Sequence, residues 1–229
     1  HAGTPRERLQ PAGGGRLPRR RAPRYTSAGS STALTMATVA TALLAALWGY
    51  KSFSPGDYGT TAAGFILFPI IFVIGMRMGK SMARVMPSYA QVGGVMMFGL
   101  VGRLLGSVWR FSEPVDALVY HRVGADLAES FRSLQFSVDT GRSIPGTGTI
   151  RYAAGVLYAV GFGDMYASFI VFTMAAFIGA ALCVRAMAIA MPSAHLRVYA
   201  LLVFCWPSLL FWPNSLGKEG WMMLGIGVY

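Results

Sequence analysis

Charge is scarce in this chain, since only 13% of its 229 residues are Asp, Glu, Lys or Arg. A soluble domain of this size carries about twice that share, so the surface needed to face water is missing. Cysteine is limited to Cys183 and Cys205, each inside an apolar stretch, which excludes a disulfide framework or a cysteine-based metal site and leaves them as small hydrophobes. Three histidines stand far apart, so no zinc-ligand spacing arises. Gly217-Lys218 lacks the upstream glycine of a phosphate-binding loop, and Gly146-x-Gly148 is followed by Arg151 where a dinucleotide fingerprint needs glycine.

What the chain has instead is apolar residues, 54% of the total, gathered in long blocks. A hydrocarbon core roughly 30 Å thick is crossed by about 20 such residues in helix, and these blocks are too long for barrel strands. The expected fold is therefore all-α: a polytopic transmembrane bundle with spans at residues 32–50, 62–76, 88–109, 165–184 and 198–212. His1 at the start, and an apolar run from Trp221 that stops at Tyr229, read as a fragment with a truncated sixth crossing.

Charge of one sign is also in short supply, with nine acids against twenty Lys and Arg. The net charge of +11 is unevenly spread: Arg6, Arg8, Arg16, Arg19, Arg20, Arg21 and Arg24 lie in a Pro- and Gly-rich tail, residues 1–31, that reads as a disordered cytoplasmic segment near anionic lipid. That distribution argues against nucleic acid as partner. Arg77, Lys80 and Arg84, and again Arg185, His195 and Arg197, separate later spans. Because cytoplasmic loops are rich in Lys and Arg, these connections belong inside. Residues 51–61, 110–164 and 214–220 then fall on the outer face of a plasma membrane, with the N-terminus cytoplasmic.

Within the long outer connection, residues 110–151 hold five acids, Glu113, Asp116, Asp126, Glu129 and Asp139. Its first half has Val119, Val123, Leu127, Phe131 and Leu134 at helical spacing, so an amphipathic helix is expected to start near Ser112 and Pro114, with Asp116 in its first turn. The second half is turn-rich at 139–148, then passes through an apolar stretch, 152–162, too short to span and expected to dip into the outer leaflet or lie at its surface. Asp164 reads as the N-cap of the next helix.

Candidate chemistry gathers on that side. Asp116, with Tyr120 and His121 nearby, can serve as a general base toward a hydroxyl or hold a divalent cation bridging a phosphate; capping and solvation explain it equally well. Arg142 and Arg151 can clamp a lipid phosphate or simply anchor to head groups. Lys218 and Glu219, beside Phe211-Trp212, suit a phosphate or sugar subsite or an aromatic belt with a snorkelling lysine. Pro69 and Pro207 sit mid-span, where broken helices can line a cavity. Arg103 lies about six residues inside the third span, so it either snorkels or faces the bundle interior.

Three stretches, DALVYHRVGADLAESF at 116–131, residues 146–187, and FWPNSLGKEGWMMLGIG at 211–227, resemble actinobacterial integral membrane proteins related to GT-C-type glycosyltransferases and to exopolysaccharide or O-antigen polymerases. The resemblance implies glycosyl transfer or glycan polymerisation from a polyprenyl-phosphate-linked sugar at the outer membrane face, with membrane lipid and that carrier as partners. By resemblance Asp116 takes the role of catalytic base, although it follows the third span and the carboxylate of that superfamily normally follows the first. No organic cofactor is implied, and a divalent cation such as magnesium or manganese is an open option. Transport or lipid flipping, and a non-catalytic scaffold in envelope assembly, are the alternative functions.

Overall fold

The computed structural model describes residues 62–85, 92–112, 114–161, 164–192 and 194–229. The expected basic tail, the first span at 32–50, its polar loop and the start of the third span lie outside them. The described chain forms eight helices and no strand: α1 Ala62–Val85, α2 Gly93–Ser112, α3 Val115–Arg132, α4 Thr147–Ala159, α5 Met165–Ala190, α6 Leu196–Cys205, α7 Pro207–Phe211 and α8 Lys218–Val228.

The central element is α5. Its sequence is apolar on every side, and a helix of that kind must be enclosed by others. Accordingly Met165 to Ile170 and Phe172 to Phe177 are all buried. Asp164 caps it, its carboxylate accepting from the Ala167 N–H at 3.0 Å, as its position in the sequence suggested. Among the described residues α5 is the one helix long and apolar enough to cross a membrane; Leu196–Cys205 and the Pro69–Met78 part of α1 are apolar but short.

Contacts fix the direction of each neighbour. Gly64 at the start of α1 lies against Tyr166 and Ala167 at the start of α5. Phe111 at the end of α2 packs edge-on to Tyr166 and Phe169, at 5.1 and 5.4 Å between ring centres. Further along, Gly75 meets Leu100, and Gly99 meets Phe204, which in turn packs on Phe177. So α1 and α5 run one way and α2 the other. Gly102 with Leu210 and Gly106 with Asn214 set α6 and α7 parallel to α2. Gly220 against Phe172 and Gly227 against Gly179 set α8 parallel to α5. At several of these crossings a glycine admits a neighbouring backbone or large side chain that any Cβ would displace, the usual device for packing helices tightly.

Several boundaries differ from those read in the sequence: α2 ends at Ser112 rather than at 109, and α5 runs past 184 through Arg185 to Ala190. The second span was expected to end at Met76, yet α1 continues through Arg77, Lys80 and Arg84 to Val85, because Met, Lys, Ala and Arg are good helix formers even where the apolar block stops. The span expected at 198–212 is divided into α6 and α7. Trp206 precedes Pro207 and takes extended geometry, φ −61° and ψ 127°, as the residue before a proline must when its ring blocks the helical region. Residues 152–159 of the apolar stretch form most of α4, which packs on α3.

The pairing of α3 with α4 follows from small residues. Gly124 faces Ala154, Gly155 faces Leu127 and Phe131, and Arg132 donates to the Tyr158 carbonyl at 2.8 Å. The numbers rise together, so the two helices run side by side in the same sense and residues 133–146 carry the chain back. Fourteen residues can reach about 46 Å, while the return covers about 22 Å of helix, which leaves slack for the turns there. The pair sits on the end of the bundle where α5 begins, since α3 follows directly on the end of α2, where Phe111 packs on Tyr166, and Tyr158 of α4 lies near Ser168 and Asp164.

Candidate functional site

Polar groups are sorted by this arrangement. Buried Ser107, Asp164, Ser168, Asn214 and Ser215 all lie at the end capped by α3 and α4. Arg77 and Arg185, both exposed, lie on the portions of α1 and α5 that lead to the opposite end.

At the capped end, residues near the starts of α3, α4 and α8 act electrostatically on one side chain. Pro114 precedes α3, and Asp116 stands exposed in its first turn. One turn on, the half-buried Tyr120 phenol is pushed above its ordinary pKa, first by burial, then by the negative charges of Asp116 and Glu219, with the Arg151 guanidinium pulling the other way. Four of the residues singled out in the sequence are thus brought into one electrostatic neighbourhood from three helices.

Arg151 is positioned by the returning loop. Its Nη1 donates to the Thr140 carbonyl at 2.7 Å, while the Thr140 hydroxyl donates to the Arg142 carbonyl at 2.7 Å and the Gly141 N–H donates to the Asp139 carboxylate at 2.7 Å. Gly141 has φ +65°, a left-handed conformation that glycine adopts without penalty. The Nε of Arg151 is buried without an acceptor among the described residues. One arm of the expected arginine clamp is therefore already engaged by the protein. Arg142 and Lys218 are exposed and extend outward from the same region.

His121 is not gathered with Asp116. It turns to the other side of α3, where its Nδ1 lies 2.8 Å from the Tyr158 hydroxyl. Ser168 and Asp164 are close enough to act on the Tyr158 phenol. Burial is the main reason that the Tyr158 pKa is pushed far up, so the phenol stays neutral. Burial, then the neighbouring Arg122, hold His121 below its usual value. The grouping of His121 and Tyr158 near Ser168 and Asp164 was not expected from the sequence. Its one signal in the sequence was Asp164, an acid at the mouth of the most apolar helix.

Arg103 faces the bundle interior, fully buried, rather than snorkelling. It donates from Nη1 to the Leu209 carbonyl at 2.8 Å and from Nη2 to the Val203 carbonyl at 3.4 Å. Cys183 and Cys205 are free and half-buried against the core. Among the described residues no three His, Cys, Asp or Glu side chains gather in a way that could hold a metal ion.

The arrangement offers an exposed carboxylate on α3, a half-buried carboxylate on α8, a phenol whose pKa both raise, and a partly engaged guanidinium. Such a set can accept a proton from a hydroxyl and steady a leaving anion. No protein-family model, curated protein or solved structure matches the chain.

Proposed function

We propose that the chain is a membrane-embedded transferase that passes a sugar from a polyprenyl-phosphate carrier to an acceptor hydroxyl at the end of the bundle capped by α3 and α4. The observation that carries the reading is that Asp116 of α3, Glu219 of α8 and Arg151 of α4 all act electrostatically on the Tyr120 phenol. In the reaction the acceptor oxygen gives its proton to the Asp116 carboxylate and forms the new bond to the sugar carbon. The bond from that carbon to the carrier phosphate breaks, and the phosphate leaves with the electron pair. Arg151, with Lys218 and Arg142 outside it, stabilises the departing charge, and Glu219 with Tyr120 orients the sugar hydroxyls.

A multi-pass placement in the plasma membrane is part of the proposal. It is supported by exposed Ile66 and Ile70 on α1, Phe98 and Leu105 on α2, Leu201 and Leu202 on α6 and Ile226 on α8, a lipid-compatible outer face. The basic end then lies in the cytoplasm and the capped end outside.

The test is turnover by the purified chain with a panel of polyprenyl-phosphate sugars. Asp116→Asn is expected to reduce transfer by roughly 10²–10⁴-fold, the usual worth of a general base, with the helical circular-dichroism signal intact. An unchanged rate removes Asp116 from the role of base, and no turnover with any donor removes the transferase reading.

A further inference from the structure

An apolar groove of about 460 Å³ runs along the outer side of α2 and α7. Its size falls within the roughly 300–1,000 Å³ of ordinary ligand sites. Gly102 and Gly106 contribute bare backbone, Leu105 and Leu210 aliphatic sides, and Trp109 and Phe211 an aromatic upper end. From Gly102 to Trp109 the groove follows about 10 Å of helix.

A cation is fixed at that upper end. The Arg110 guanidinium stands over the Phe211 ring at 5.0 Å and the Trp212 ring at 5.2 Å. Its Nε is buried without an acceptor among the described residues. Trp109 and Trp212 beside it are 71% and 52% exposed, which suits the level of lipid head groups, where tryptophan prefers to lie.

We infer that the groove is a lipid site: one acyl chain of an anionic phospholipid from the surrounding bilayer lies between α2 and α7, and its phosphate is held by Arg110. A neutral hydrocarbon leaves the guanidinium unanswered, and a soluble anion leaves the groove empty. An anionic lipid satisfies both, with the forked guanidinium matched to phosphate oxygens. The inference rests on the bundle standing in a bilayer and not on the transfer reaction, since Asp116 and Arg151 take no part in it.

Native mass spectrometry of the purified full chain in neutral detergent tests this, with dioleoyl phosphatidylglycerol and dioleoyl phosphatidylcholine at equal concentration. The phosphatidylglycerol is expected to be retained roughly tenfold better, the scale of one charge-assisted contact. Arg110→Ala should bring the two lipids to parity, and Leu105→Trp, which fills the groove from an exposed position, should lower retention of both. Asp116→Asn should leave retention unchanged, so that failure of the transferase reading is scored separately. Parity in the unaltered chain overturns the inference, as does a preference that survives both substitutions. Displacement of phosphatidylglycerol by an equimolar polyisoprenyl monophosphate overturns it too, by assigning the groove to a carrier lipid.

Discussion

Arg103 donates to the carbonyl of Leu209, an oxygen whose helical donor four residues on is the nitrogen of Pro213 and therefore carries no hydrogen. The same holds for its second acceptor, Val203, four residues before Pro207. One arginine thus answers two carbonyls that two prolines orphan, and it does so across the contact between α2 and the α6–α7 break. The charge is placed inside the bundle to meet a backbone demand created elsewhere in the sequence.

Arg103→Met is therefore expected to destabilise the fold by about 2 kcal/mol or more, since each buried acceptor left without a donor costs roughly 1–3 kcal/mol and relief of the buried cation offsets part of it. Hydrogen exchange at residues 208–216 should rise with it. In a Pro207→Ala, Pro213→Ala background the carbonyls regain their own donors, and the cost of losing Arg103 should shrink. A double-mutant cycle that gives the same cost in both backgrounds refutes the assignment.

Protonation of His121 should loosen the α3–α4 cap. Burial and Arg122 hold its pKa below the ordinary value of 6.5, so the folded ring stays neutral where the unfolded ring already binds a proton. Over that window the unfolded chain carries more protons, and stability falls as pH drops through about 6.5, is retained above it, and levels off below the folded pKa. Exchange at Tyr152 to Tyr158 measured between pH 5 and 8 should follow this curve. His121→Gln, which keeps an acceptor for Tyr158 and cannot titrate, should flatten it; an equal slope in that variant rules out His121 as the source.

Gly179 should be the least replaceable glycine of the α5–α8 contact. A Cβ there meets the Met223 carbonyl and the Leu224 nitrogen, and Gly227 approaches the Gly179 carbonyl from the same side. Gly179→Ala must push α8 outward and is expected to cost about 1–3 kcal/mol, the range for overpacking. Gly225 has nothing within 4 Å of its own added Cβ, so Gly225→Ala should be neutral or stabilising by about 0.5–1 kcal/mol through helix propensity. Unfolding midpoints of the two variants that move equally would place α8 elsewhere.

Local features of this fold were legible in the sequence because they depend on neighbouring residues. The start of α3 at Pro114, Asp116 in its first turn and the cap at Asp164 all follow from capping chemistry within four positions. The approach of Glu219 and Arg151 to Tyr120 was not legible, since it needs α4 to lie parallel to α3 and α8 to begin beside both. Likewise the place of Arg103 depends on prolines a hundred residues away. The extent of α1 was misjudged for a different reason: apolar periodicity marks where a helix meets other helices or lipid, not where its hydrogen bonding stops.

The proposed sidedness rests on the sorting of charge along the bundle, and it is the prediction on which the proposed chemistry depends. Ser137 is exposed in the returning loop between α3 and α4. With Cys183 and Cys205 replaced by alanine, a cysteine introduced by Ser137→Cys is the sole thiol. In intact cells it should react with a membrane-impermeant maleimide if the proposed orientation holds, with the basic stretches around Arg77 and Arg185 on the cytoplasmic side. Protection until the cells are lysed would put Asp116 and Tyr120 inside, where the acceptor hydroxyl would be a cytoplasmic one, and would require a donor presented on that face instead.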